Sequence, residues 1–331
     1  MPNAKYDVLG IGNAIVDVLA SADDGFLNER GLNKGAMQLL DAEAAEQLYR
    51  EMGPGVEASG GSAANTIAGI ASLGGSTAFV GKVKRDQLGE IFKHDIRALG
   101  VHFETPMAEG GPSTARCLIL VTPDAQRTMN TYLGACTTLG PDDVVADDIQ
   151  NATVTYLEGY LWDPPAAKDA FRKATTIAHE AGRKVALTLS DAFCVERYRE
   201  EFQDLVENGV DILFANESEI CSLYEVESFD DALQRVRGKS TLAALTRSEK
   251  GSVVVSGDEV HVIDPDRVER PVDTTGAGDQ YAAGFLFGYT RGFDLARCGA
   301  LGGMAAAEVI SHYGARPETK LVELAKTKGL V

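Results

Sequence analysis

From residue 142 onward, short apolar runs of strand length alternate with longer stretches of helical periodicity, and this limits the fold more than any other feature of the chain. The runs at 153–158, 184–189, 211–215 and 242–246 read as strands, and the stretches at 165–181, 196–207 and 217–237 as the helices between them. Strand, helix and strand in succession form right-handed crossovers, so these strands lie parallel in one sheet. A sheet built this way carries helices on both faces, which is why its strands are apolar almost throughout.

The earlier part of the chain is more broken. Tyr6 to Gly12 reads as a buried first strand, and Asn13 to Ala20 as a second that carries Asp17. Residues 21–60 are Gly-broken and polar around an Ala-rich helix at Ala42 to Met52. A helix of small residues follows at Thr66 to Leu73, then a strand at Thr77 to Gly81 and an amphipathic helix at Gln87 to Leu99 that stops at Gly100. Ser113 to Val121 and Arg127 to Leu133 suggest a hairpin, as does 252–263 around Gly257-Asp258, and three helices close the chain. The expected architecture is one α/β domain over 1–331, with a smaller β-rich element built from segments near 13–40 and 101–135.

Charge narrows the partners. A net charge of -18 argues against nucleic acid or an anionic membrane, so any phosphate must be held by backbone, a metal and a few chosen cations. The five cysteines are scattered, without a C-x-x-C pair or a His at metal-ligand spacing, and read as reduced thiols filling core space. Residues 58–81 carry no charge but are rich in Gly, Ser, Thr and Asn, unlike a membrane span. With no signal pattern at the start, the expectation is a soluble cytoplasmic protein that acts on small molecules.

The chemistry concentrates in Asp273-Thr274-Thr275-Gly276-Ala277-Gly278-Asp279. Apolar residues at Tyr281, Ala282, Phe285, Leu286 and Tyr289 place a helix directly after it, so Gly-Ala-Gly sits at a helix start. Glycines let backbone N–H groups close on an anion, and a first helical turn has unpaired donors and about half a positive charge. Asp279 does not suit anion binding; it suits a base that takes a proton from a hydroxyl attacking a cradled phosphate.

Other groups surround this one in prospect. Asn216 and Glu219 follow the strand DILFA, at the carboxyl end where open α/β sheets bind ligands; they fit either a hydrated Mg2+ or a helix cap with acids on the first turn. Thr246 to Ser252 is a Gly-containing turn at another strand end, either a nucleotide contact or an ordinary loop. Gly60-Gly61-Ser62 allows tight packing, while Asn65 and Asp17 could hydrogen-bond a polyol. Gly10-x-Gly12 lacks the third glycine of a dinucleotide fingerprint, and no P-loop or protein-kinase motif occurs.

All seven residues of 273–279 match the second signature of the ribokinase-like (PfkB) carbohydrate and nucleoside kinases, which the chain resembles over essentially its whole length. The resemblance implies a three-layer sandwich: a central, mostly parallel sheet flanked by helices, with a small β-rich lid over the substrate. It implies ATP and Mg2+, leaves open a monovalent cation (K+), and leaves the assembly open between monomer and homodimer. By matching position, Asp279 is the base and Gly276, Ala277 and Gly278 are the anion hole. Asn216 and Glu219 form the N-x-x-E motif linked to Mg2+ and phosphate, the metal held by Glu219 through water. Thr246, Gly251 and Thr275 fall on the nucleotide side; Asp17, Gly61, Asn65 and Asn13 fall beside the sugar hydroxyls.

Within the family the chain is most similar to the adenosine kinases, through Gly12 to Asp17, YLEGYLW (156–162), LTLSDAF (187–193), VDILFANESE (210–219) and AAAEVISHYGAR (305–316). Tyr160, or Trp162, could then stack on a base. The activity the resemblance implies is phosphorylation of a ribonucleoside 5′-hydroxyl, adenosine first, with a sugar, inosine or guanosine as alternative acceptors and a non-catalytic nucleoside-binding regulator as the rival of another kind. Three departures stand out: Gln280-Tyr281 is bulkier and more polar than usual after the base, TRSEKGS lacks the usual Leu-Gly, and Cys136 replaces an Asn common in sugar kinases.

Overall fold

Along each central strand the apolar side chains divide by parity. Leu9 and Ile11 enter one core and Val8 the other; Leu213 and Ala215 oppose Ile212 and Phe214; Ala243 and Leu245 oppose Leu242 and Ala244. Successive side chains point to opposite faces, so a run without polar residues must be covered twice. The computed structural model describes residues 4–331 except Ala125 and Ser240, and it has three layers: helices, sheet, helices.

The large sheet holds eight strands: β1 (Tyr6–Ile11), β5 (Thr77–Val80), β8 (Ala152–Glu158), β9 (Lys184–Thr188), β10 (Ile212–Asn216), β11 (Leu242–Thr246), β12 (Ser252–Ser256) and β13 (Glu259–Ile263). Their order is β13-β12-β11-β10-β9-β8-β1-β5, parallel from β11 to β5 and antiparallel at the closing hairpin. Helices such as Pro165–Glu180 and Glu217–Tyr224 cover one face; Ser62–Ser72, Ala277–Thr290 and Leu295–Val309 lie on the other side. Two of the latter approach closely because a Cβ on Gly284 would run into the Leu301 backbone and one on Gly302 into Tyr281.

A second sheet of five strands contains β2 (Ile15–Ser21), β3 (Met37–Leu39), β4 (Val56–Gly60), β6 (Ala115–Val121) and β7 (Arg127–Tyr132), in the order β3-β7-β6-β2-β4. β6 and β7 form the expected antiparallel hairpin. β4 lies in a stretch that reads as broken and polar, and residues 101–112 contribute only isolated bridges at His102 and Ala108. Val56–Gly60 escapes notice because Ala, Ser and Gly carry little strand propensity; its pairing with β2 holds it extended.

Boundaries move where local chemistry acts. The stretch 217–237 is two helices, since Glu225 takes a left-handed conformation (φ 53°) and Ser228 caps a new helix, Phe229–Val236. The stretch 196–207 likewise holds Ala192–Arg197 and Arg199–Asp204, broken at Tyr198. The small-residue helix starts at Ser62 rather than Thr66, which puts Asn65 on its first turn. All five cysteines are free, and only Cys221 is not fully buried. Among the described residues no helix is long and apolar enough to cross a membrane.

Candidate active site

Asn13 follows β1, Asn216 ends β10 and Thr246 ends β11, so these predicted polar residues collect at the carboxyl edge of the parallel strands, together with Glu158 at the end of β8 and Ser190 after β9. That edge is where open α/β sheets bind ligands. Over it stands the N-terminus of Ala277–Thr290, whose N-cap, Gly276, provides no side chain to satisfy the first amides.

The two glycines of the cradle differ in their reasons. Gly276 has φ 78°, and a Cβ there would come within 2.6–2.8 Å of Ala315; both conformation and packing require glycine. A Cβ on Gly278 would meet nothing within 4 Å, so space is open above the first helical turn. The preceding turn is braced. Thr275 donates from N (3.0 Å) and Oγ1 (2.7 Å) to Asp273 Oδ1, while Asp273 Oδ2 accepts from Gly314 N at 3.0 Å and pairs with Arg127 Nη1 at 2.9 Å.

Asp279 is held by two donors from the helix Ser62–Ser72: Ser62 Oγ at 2.6 Å to Oδ1 and Asn65 Nδ2 at 3.2 Å to Oδ2. Burial pushes its carboxyl up to about 6, against the pull of these two donors. A carboxyl of that strength is ionised at neutral pH yet accepts a proton more readily than an ordinary aspartate. Asp17 is also pushed up to about 6, by burial first and by the Asp279 charge, with Arg316 and Arg127 opposing. The two carboxylates and two guanidinium groups therefore share one field.

Gly61 has φ 100°, and a Cβ there would run into the carbonyl oxygen of Asn13; a Cβ on Gly60 would run into the Asp17 carboxylate. The glycine pair thus lets the start of the helix close on both residues. Asn13 is buried and its side chain is already engaged, donating from Nδ2 to Glu158 Oε1 at 2.6 Å. Glu158 also accepts from Asn13 N at 3.3 Å and Ala63 N at 2.8 Å, and burial lifts its carboxyl to about 7 despite these donors.

Asn216 and Glu219 form a reciprocal cap: Asn216 Oδ1 accepts from Glu219 N at 2.9 Å, and Glu219 accepts from Asn216 N at 3.0 Å and Nδ2 at 2.6 Å. Burial raises Glu219 to about 7, and the charges of Asp191 and Asp279 add to this. Thr246 pairs in register with Asn216, and Gly251 is glycine because its φ is 81° and a Cβ would strike the Ile263 carbonyl. Tyr160 is 37% exposed, near enough to Asp191, Asp279 and Glu219 to feel their charges. Trp162 is not available for stacking: it is 1% exposed, packed on Phe171 and Phe202, with Nε1 donating to Glu201.

The uncapped helix and the open space at Gly278 fit a phosphate. No three His, Cys, Asp or Glu side chains among the described residues gather as a metal cage, and both Glu219 oxygens already accept hydrogen bonds. This donor set fits a Mg2+ ion that keeps its waters better than one held directly by side chains.

Several site residues escape sequence reasoning. Ser62 reads as part of a turn, Glu158 and Arg127 as parts of strands, Asp95 as part of a helix, and Arg316 as the end of the run 305–316, none with a role at the site. Gln280 is fully buried and donates from Nε2 to both Asn65 O and Ala315 O at 3.0 Å, which accounts for its bulk after the base. Gly69 leaves room for it, since a Cβ there would strike Gln280 Oε1, but that approach exists only once the two helices pack.

A model of the pfkB family carbohydrate kinases matches residues 38–320. Among solved structures, adenosine kinase from Sinorhizobium meliloti is 59% identical, with a TM-score of 0.91 over 98% of this chain and 100% of that one. A probable sugar kinase protein from Rhizobium etli CFN 42 is 54% identical, with a TM-score of 0.92 over 99% and 100%. An ATP-dependent ribose-1-phosphate kinase from Halopiger xanaduensis is 30% identical over 79% of this chain and 83% of its own length. The fold and site define a phosphotransferase with an alcohol group as acceptor. The chain belongs to the pfkB family of carbohydrate kinases.

Proposed function

We propose that this protein transfers the γ-phosphoryl group of ATP to the 5′-hydroxyl of adenosine, giving AMP and ADP. The observation that carries the reading is Asp279, held by Ser62 and Asn65 on the first turn of an uncapped helix beside open space, in a chain 59% identical to an adenosine kinase. Asp279 takes the proton of the 5′-hydroxyl as its oxygen attacks the γ-phosphorus, and the bond to the bridging oxygen breaks to release ADP. The amides of Gly276, Ala277 and Gly278 lie where charge develops on the phosphoryl oxygens. Arg127, whose Nε and Nη2 make no hydrogen bond among the described residues, supplies two further donors on the same side. Glu219 and Asn216 would hold Mg2+ through its waters, where it would supply neutralisation of phosphate charge, and Thr246, Gly251 and Thr275 line the nucleotide side.

Asp17, Gly61, Asn65 and Asn13 form the ribose side. Asp17 accepts from the vicinal hydroxyls, Gly61 brings the backbone close, Asn13 acts through its bond to Glu158, and Tyr160 offers the exposed ring for a base. The five-stranded sheet, with Asp17 on β2, acts as a lid over this pocket within a single kinase domain. The ribose-1-phosphate kinase relative favours a second reading, in which a phosphorylated pentose is the acceptor. ADP release measured with ATP and Mg2+ against adenosine, inosine, guanosine, ribose, fructose and ribose 1-phosphate separates them. Turnover of adenosine at low concentration with ribose inert supports the proposal; turnover of sugars or sugar phosphates with silence on every nucleoside rejects it.

A further inference from the structure

The groups that hold Asp279 are themselves held. Arg316, in the segment after Leu295–Val309, donates from Nε to Asn65 Oδ1 at 3.2 Å, and from Nη1 to Ser59 Oγ at 2.5 Å and Asp95 Oδ2 at 3.2 Å. Asn65 presents its other end, Nδ2, to Asp279. A guanidinium cannot accept a hydrogen bond and an ionised carboxylate cannot donate one, so an amide between them has one orientation: oxygen toward Arg316, nitrogen toward Asp279. We propose that Arg316 is a positioning residue for phosphoryl transfer, fixing the Asn65 amide so that Nδ2 stays on the base and tying that base, through Ser59 and Asp95, to β4 of the small sheet.

The wiring is specific. Asp95 accepts from both Ser59 N, at 2.8 Å, and Ser59 Oγ, so Arg316 docks on a pair already joined across Gln87–Ala98 and β4. The backbone around Arg316 does not depend on its side chain, because Gly314 N is bound to Asp273 and Ala315 O to Gln280. Losing the guanidinium therefore frees the Asn65 amide without unfastening the loop. A turned amide would set Oδ1 against the Asp279 carboxylate and leave Ser62 as its one side-chain donor.

The readout is the acid limb of the pH profile. Around Asp279 stand Asp17 from β2, Tyr156 and Glu158 from β8, Tyr160 beyond it, and Glu219 from Glu217–Tyr224. On Leu295–Val309, Glu308 is taken by His312; on β1, Asp7 is taken by Arg291. All of these persist in the variants, so a moved limb traces to the amide donor or to the Arg316 charge acting through Asp17, and a double variant separates the two.

The proposal rests on Asp279 as base. The experiment measures kcat, KM for the acceptor and for ATP, and kcat/KM from pH 5 to 8 for wild type, Arg316→Met, Arg316→Lys, Asn65→Ala and the Arg316→Met/Asn65→Ala double. Arg316→Met is expected to lower kcat about tenfold with KM for ATP unchanged. Its acid limb moves to higher pH as in Asn65→Ala, the double moves no further than Asn65→Ala, and Arg316→Lys recovers part of the shift. An unmoved limb in Arg316→Met, or shifts that add in the double, overturns the proposal. If Arg316→Met does not fold, Arg316→Lys carries the same comparison, and a wild-type limb with undiminished kcat in that variant also overturns it. Active Asp279→Asn would instead show that the base assignment failed.

Discussion

Replacing Asp17 by alanine separates recognition of the sugar from chemistry. Asp17 projects from β2 against Gly60, half-buried, with its carboxyl raised to about 6. At pH 8 it is ionised and able to accept from both ribose hydroxyls. Hydrogen bonds to a charged group contribute roughly 1.5 to 3 kcal/mol each, so KM for adenosine should rise at least about tenfold in Asp17→Ala. The sharper quantity is the ratio of kcat/KM for adenosine to that for 2′-deoxyadenosine. Both substrates use the same base, so titration of Asp279, also near 6, divides out of the ratio even where loss of Asp17 shifts it. In wild type the ratio is expected to be about ten or more at pH 8 and to shrink as pH falls through about 6, where Asp17 gains a proton and loses acceptor capacity. In Asp17→Ala it should lie near one and stay flat. A coupled ADP-release assay from pH 5 to 8 measures it. Equal losses on both substrates, or a wild-type ratio insensitive to pH, would refute the placement of the ribose beside β2.

The cradle glycines should part company. Gly278→Ala meets no protein atom within 4 Å, so thermal stability holds or rises while KM for ATP rises and kcat falls; Gly276→Ala, with φ 78° and Ala315 within 2.8 Å, should lower the melting temperature. Unchanged ATP kinetics in Gly278→Ala would remove the phosphate from that space. Glu158→Leu strands Asn13 N, Asn13 Nδ2 and Ala63 N, costing about 3 kcal/mol or more by urea unfolding at pH 8; an unshifted midpoint would mean these donors find other partners. Asp17, Glu158, Glu219 and Asp279 all bind protons more tightly folded than unfolded, so their contribution to unfolding free energy is full below their unfolded values of 3.8 to 4.5, falls as pH rises from there, and is gone above about 7. Glu158→Gln should flatten that slope in denaturant titrations, and an identical slope would exclude Glu158 as a contributor.

The large sheet was legible because period-two burial on both faces leaves unbroken apolar runs of strand length, as in VDILFA before Asn-Glu-Ser-Glu. The Asp273 to Asp279 turn was legible for a related reason: glycines at a helix start, followed at once by an acid, have few uses. The small sheet was harder. β4 is held by pairing with β2 rather than by its own residues, and no local pattern announces Val56–Gly60. The support of Asp279 was hidden by distance along the chain, since Asn65, Asp279 and Arg316 meet only after Ser62–Ser72 and Ala277–Thr290 pack together and the 314–316 loop folds over them. Asn216 and Glu219 show the opposite case. The spacing was read for a metal or for a cap, and the structure builds the cap while leaving its carboxylate raised toward neutrality.

The most direct test is single-turnover formation of AMP by wild type and Asp279→Asn, with adenosine and MgATP saturating and adenosine affinity measured separately. Asparagine keeps the shape and one acceptor for Ser62 or Asn65 but cannot take the proton. The rate is expected to fall by about 10² or more while adenosine Kd stays within a few-fold of wild type. A rate near wild type would contradict the account at its centre.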